Sequence, residues 1–147
     1  MQIVVDPQLK ADDIAAIRGP LHAFNDSRVD SPDGHFGVLI KDDAGHTIGG
    51  LAAQWYYNWM FIELLFVPEQ LRGQDIGTRL MAEAETYAIA NGMVGIWLDT
   101  FGFQARGFYE KLGYVVFGEL PDYPGSHSRY FLQKRLDHPS TPPHETN

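Results

Sequence analysis

Between Phe61 and Arg79 the chain reads FIELLFVPEQLRGQDIGTR, an apolar run that meets a proline and then a basic, glycine-bearing turn at the head of a helical pattern. Pro68 has no N–H to donate and so ends the pairing of any strand before it. The first turn of the helix leaves backbone N–H groups unpaired and carries the positive end of the helix dipole. Gly73 and Gly77 let the backbone approach an anion closely, and Arg72 adds a cation beside it. A strand, an anion-holding turn and a helix are therefore expected in that order.

The flanking segments supply the rest of a mixed sheet. Gln2 to Val5 suggests a short edge strand. Asp12 and Asp13 suit a first helical turn, and Ile14, Ile17, Leu21 and Phe24 recur at helical spacing. Gly19-Pro20 interrupts that stripe, which predicts two short helices or one kinked helix ending near Asn25. After the loop NDSRVDSPDG, Phe36–Lys41 and Ile48–Tyr56 read as a hairpin around DDAGH. Trp59–Val67 is almost continuously apolar and is expected to be a central strand covered on both faces. A helix from near Gly73 presents Ile76, Leu80, Ala84 and Ala88 on one face and closes at Asn91-Gly92. Val94–Leu98 reads as a buried strand, Gln104–Leu112 as a helix, and Tyr114–Leu120 and Ser128–Leu136 as two last strands. The expected fold class is α/β (α+β): one domain over residues 1–136, with a mixed central sheet of about seven strands and helices on both faces. The tail, residues 137–147, lacks apolar anchors and is expected to be disordered.

Composition narrows the function classes. The absence of cysteine removes disulfides, thiolate metal sites and a cysteine nucleophile. No run is long enough for a membrane span, and MQIVVDP has no basic leader, so the chain is expected to be cytoplasmic with no membrane partner. A net charge of −8 disfavours nucleic acid and favours cationic small molecules or peptides. His22, His35, His46 and His127 have no metal-ligand spacing, and no metal is expected.

Two segments, Arg72-Gly73-Gln74-Asp75-Ile76-Gly77 and Tyr109-Glu110-Lys111-Leu112-Gly113-Tyr114, together resemble the GNAT superfamily of N-acetyltransferases. The superfamily's CoA signature, Arg or Gln, two residues, Gly, one residue, then Gly or Ala, falls on Arg72-Gly73-Gln74-Asp75-Ile76-Gly77. Its second signature is matched by Tyr109-Glu110-Lys111-Leu112-Gly113-Tyr114 and by Ala105, with Gly102 in place of the usual opening asparagine. The likeness covers residues 1–136. It implies acetyl-CoA as co-substrate, with the pantetheine arm on main-chain groups of Leu65 and Val67. The pyrophosphate would sit on the amides of Arg72, Gly73, Gln74, Asp75, Ile76, Gly77 and Thr78, with Arg79 adding charge. Phe66 or Val67 would supply the N–H that stabilises the oxyanion. Gln104 counts among the cofactor-side residues.

Asp75 departs from the signature, which has glycine there. One expectation is that it adopts the glycine's backbone conformation and turns its carboxylate to solvent or to the next N–H groups. The other is an inward carboxylate, costing about 1 kcal/mol or more at close range. Glu63 interrupts an apolar strand, where burial would raise its pKa and suit it to be the general base. The alternative is a structural carboxylate paired with an arginine or facing a wet edge. Tyr109 is the general-acid candidate by family position, against a core tyrosine at helical spacing. Trp55, Tyr56, Tyr57 and Trp59 could wall a cationic amine or simply pack the sheet. His22, Asn25 and Tyr123 could border the acceptor by family analogy. The function implied is direct acetyl transfer to a primary amine of a small molecule or peptide in a ternary complex. A non-catalytic CoA-binding module is the alternative. The acceptor's identity stays open, as does oligomeric state, where a homodimer is the common default for a domain with an exposed sheet edge.

Overall fold

From Asp33 the residues alternate between half-buried and exposed, as a strand with one covered face requires, and Asp33–Lys41 forms β1. It pairs antiparallel with β2, Thr47–Tyr56. Asp42 shapes the intervening turn, its Oδ1 accepting from the N–H groups of Ala44 and His46 at 3.0 and 2.8 Å. Across Tyr57-Asn58 the chain reverses again into β3, Trp59–Phe66, antiparallel to β2. A short 3-10 turn at Glu69–Leu71 leads to α2, Ile76–Ala90, which follows α1, Ala11–Asp26, in chain order. Then come β4, Gly95–Phe101, a short α3, Arg106–Lys111, β5, Val115–Leu120, and β6, Arg129–Arg135.

This computed structural model describes residues 1–30 and 32–137. It falls into two compact units, one ending at Ser31 and the other beginning at Pro32. In the first, α1 carries Asp12 and Asp13 in its first turn and keeps Pro20 inside one continuous helix. Pro20 removes a single rung, since it has no N–H for the Ala16 carbonyl. Gln2–Val5, expected as an edge strand, is irregular. It finds no ladder partner among the described residues, and an extended segment without one leaves its backbone groups to water.

The second unit holds the sheet, six strands in the order β1-β2-β3-β4-β6-β5. Only β3 and β4 run parallel, and α2 connects them. One face of the sheet packs on α2. Leu51, Ala53, Met60, Ile62, Ile96, Leu98 and Leu132 meet Leu80, Met81, Ala84 and Ala88 in a common core. The absent N-terminal strand accounts for six strands where about seven were expected. Except for Asp137, the expected disordered tail lies outside the described residues.

Candidate active site

The site begins where two parallel strands part. β3 and β4 pair only from Trp59–Gly95 to Ile62–Leu98, after which β3 follows β2 to Phe66 and β4 follows β6 to Phe101. A bulge marks the parting. Ala53 faces Ile62 and Ala52 faces Leu64, so Glu63 is the extra residue on β3. The strand is therefore not covered on both faces as expected: Met60 and Ile62 are buried, whereas Glu63, Leu64 and Phe66 are exposed because their neighbour has left. Glu63 accordingly lacks the burial that its apolar sequence neighbours suggested. Its carboxylate has no ion-pair partner among the described residues.

The opening is a cleft of ≈ 700 Å³ that brings Glu63 and Leu65 of β3 together with Asp99, Tyr109 and Arg129. Tyr109 projects from the short α3 and is 8% exposed. Its hydroxyl is pushed up to about 12, first by burial and then by the negative charge of Asp99. The phenol is thus protonated throughout the neutral range. Asp99 is held by Arg129, whose Nε and Nη2 donate to its Oδ1 at 3.0 and 2.7 Å. Below the cleft, Tyr114 donates to Glu85 Oε1 at 3.1 Å, and Lys134 donates to the same oxygen at 3.0 Å and to the Leu112 carbonyl at 2.8 Å. Those bonds tie the end of α3 to α2 and β6.

Next to the cleft lies a hollow of ≈ 450 Å³ at the head of α2, lined by Arg72, Gly73, Asp75, Ile76, Gly77 and Thr78 along with Leu65, Phe66 and Val67 of the β3 end. Leu65, Arg72 and Ala105 border both spaces. Asp75 has φ 58° and ψ 22°, the left-handed conformation that a glycine would take. Its side chain is exposed and makes no capping bond to the helix. Gly73 (φ 80°) supplies the other left-handed step of the turn. Gly77 sits close to α3, and a Cβ there would stand 3.2 Å from the Phe108 ring, a tight contact. Arg72 is anchored, its Nε donating to the Val67 carbonyl at 3.1 Å, which places the guanidinium where strand, turn and cleft meet.

Not every residue expected at the cofactor site lines the hollow. Gln74 is exposed in the turn without facing it, and Arg79 lines a separate small cavity with Val38 and Ile40 of β1. Gln104 belongs to the cleft, where its Oε1 accepts from the Phe101 N–H at 2.8 Å and the Thr100 hydroxyl at 3.2 Å. The sequence reading missed Asp99, Phe101, Phe103 and Arg129. Ending the fourth strand at Leu98 hid the first two, although the alternation of Trp97, Asp99 and Phe101 against Ile96, Leu98 and Thr100 runs on through the strand. Among the described residues no group of three His, Asp or Glu is placed to hold a metal, and no helix is long and apolar enough to cross a membrane.

Comparison with known proteins agrees with this architecture. The chain is 35% identical over 137 residues to an acetyltransferase of Agrobacterium fabrum, covering 92% of this chain and 100% of that one. It is 37% identical over 95 residues to the blasticidin-S acetyltransferase of Streptomyces morookaense, covering 64% of this chain and 70% of the relative. The crystal structure of an acetyltransferase from Bacillus cereus superposes with a TM-score of 0.82 at 30% identity, over 90% of this chain and 98% of that one. The profile of the acetyltransferase (GNAT) family matches residues 8–114. A mixed sheet that splays beside a glycine-bearing turn at the head of α2 is thus accompanied by sequence likeness along most of the chain, and the protein belongs to the GNAT family of acetyl-CoA-dependent N-acetyltransferases.

Proposed function

We propose that the protein moves the acetyl group of acetyl-CoA directly to a primary amine of a small molecule or peptide, with both substrates bound together. The observation that carries this reading is that Glu63 and Tyr109 line one cleft that adjoins the turn at the head of α2. The turn fits CoA: two left-handed residues, a small glycine close to the Phe108 ring and an anchored arginine would form a cradle for a pyrophosphate. Arg72, Gly73, Asp75, Ile76, Gly77 and Thr78 would hold it, and the β3 end would hold the pantetheine arm. When bound, acetyl-CoA supplies the activated thioester carbonyl.

Glu63, exposed and unpaired at the bulge, takes the proton that the acceptor ammonium must lose before its nitrogen can attack. A C–N bond forms, the C–S bond breaks, and the second proton of the attacking nitrogen passes to the departing sulfur, so that the products are an amide, the CoA thiol and a proton that Glu63 returns to solvent. Tyr109 points a protonated hydroxyl into the same cleft. With its pKa at about 12, above that of a thiol, it serves the departing sulfur as a hydrogen-bond donor more readily than by full proton transfer. No cysteine exists for a covalent acyl-enzyme, which supports direct transfer. The blasticidin-S acetyltransferase among the relatives supports a small-molecule acceptor. A homodimer belongs to the same proposal, because β1 and β5 are the outer strands of an open sheet.

The test is amine-dependent release of CoA thiol from acetyl-CoA over a panel of amines and N-terminal peptides. Release that needs both Glu63 and Tyr109 is expected. Tight acetyl-CoA binding with no release for any amine would favour the non-catalytic CoA-binding module instead.

A further inference from the structure

We propose that Asp99, whose charge Arg129 only partly neutralises, determines acceptor specificity by binding a second cationic group that the acceptor carries beside its reacting amine. This rests on the transfer reading above for the identity of the cleft. Two carboxylates line the cleft, Glu63 on β3 and Asp99 on β4. They are in different states. Glu63 is exposed, whereas the Asp99 side chain is only 16% exposed and is already ion-paired.

The form of that pair leaves a vacancy. Both donating atoms of Arg129, Nε and Nη2, go to Oδ1 of Asp99, so the guanidinium does not bridge the two oxygens as a parallel fork would. Among the described residues nothing donates to Oδ2. The Arg129 guanidinium is also packed over the rings of Phe101, Tyr123 and Phe131 at 5.2, 4.9 and 5.7 Å, contacts that favour its present placement. An acceptor oxygen left open in a cleft walled by Phe101 and Phe103 is costly to strip of water unless a donor replaces it, and a cationic donor makes the stronger bond. The reacting amine does not fill this role well, since it must become neutral to attack. A second ammonium or guanidinium keeps its charge throughout the reaction and matches the acidity of the chain.

The experiment is calorimetric titration of the CoA-saturated protein with putrescine, agmatine and butylamine, which share a four-carbon chain but differ in the second charge. The two dications are expected to bind about tenfold more tightly than butylamine. Asp99→Asn should reduce that preference to about twofold, and Arg129→Gln should widen it, because Asp99 then loses the cation that partly neutralises it. These opposite signs are not what general damage to the cleft would give, and Arg129→Gln alone decides the matter if Asp99→Asn does not fold. Equal affinities for all three probes, no binding of any, a preference that survives Asp99→Asn, or one that shrinks in Arg129→Gln would each overturn the proposal. Thiol release measured on the same amines with acetyl-CoA separates the two claims. A dication preference without release leaves this subsite standing and removes the transfer reading, while release without preference does the reverse.

Discussion

The turn at Arg72–Thr78 and the cleft beside it reach their chemistry by different routes. The turn uses consecutive residues and mostly their backbone: left-handed Gly73 and Asp75, an unobstructed Gly77 and the amides at the head of α2. The cleft uses side chains from four elements, with Glu63 on β3, Asp99 on β4, Tyr109 on α3 and Arg129 on β6. A site made of backbone should tolerate a change of side chain if the dihedral angles survive, and Asp75 keeps the left-handed angles that glycine would take. A site made of side chains depends on each one being aimed by sheet register. The same difference separates a cofactor shared across a family from an acceptor particular to one member.

The largest effect should appear in the cleft. Glu63→Gln is expected to lower kcat about 100-fold while acetyl-CoA affinity stays within about twofold. Parallel losses of turnover and acetyl-CoA affinity would mean that the two regions are not separable. Tyr109 offers a second break that needs no substrate. Its folded value of about 12 lies above the ordinary 10.0, so the stability it contributes is complete below pH 10 and is lost as pH climbs toward 12. Tyr114, pushed upward by burial and by Glu85, loses stability from the same starting pH. Each should add a slope of about 1.4 kcal/mol per pH unit. Tyr109→Phe should therefore roughly halve the pH dependence of urea unfolding in that window, and an unchanged slope would contradict the buried, protonated phenol.

These two regions also differed in how legible they were. The turn could be read because Pro68, Arg72, Gly73 and Gly77 act locally, within one turn of chain. Tyr109 was marked by the motif around it. Glu63 was singled out for a reason that did not hold: an apolar neighbourhood in sequence implied burial, but the bulge and the departure of β4 expose it. Asp99 and Arg129 are 30 residues apart and meet only because β4 and β6 pair in one register, so no local pattern joins them. Gln2–Val5 has strand-like composition, yet composition supplies no partner strand.

Smaller effects sharpen the contrast. Asp75→Val forces a β-branched residue into the left-handed region and should weaken acetyl-CoA binding about tenfold, whereas Asp75→Gly should leave it within about threefold. Equal losses in both variants would show that the carboxylate itself matters. Gln104→Ala removes the acceptor held by the Phe101 N–H and should raise KM for the amine about threefold with acetyl-CoA affinity unchanged. The reverse pattern would return Gln104 to the cofactor side.

Isothermal titration of the protein with acetyl-CoA, set against acetyl-pantetheine, tests most directly that the backbone turn works with aspartate in place of glycine. Micromolar binding of acetyl-CoA that falls at least tenfold when the pyrophosphate is absent is the predicted result. Equal affinity for the two ligands, or no binding of acetyl-CoA at millimolar concentration, would contradict it.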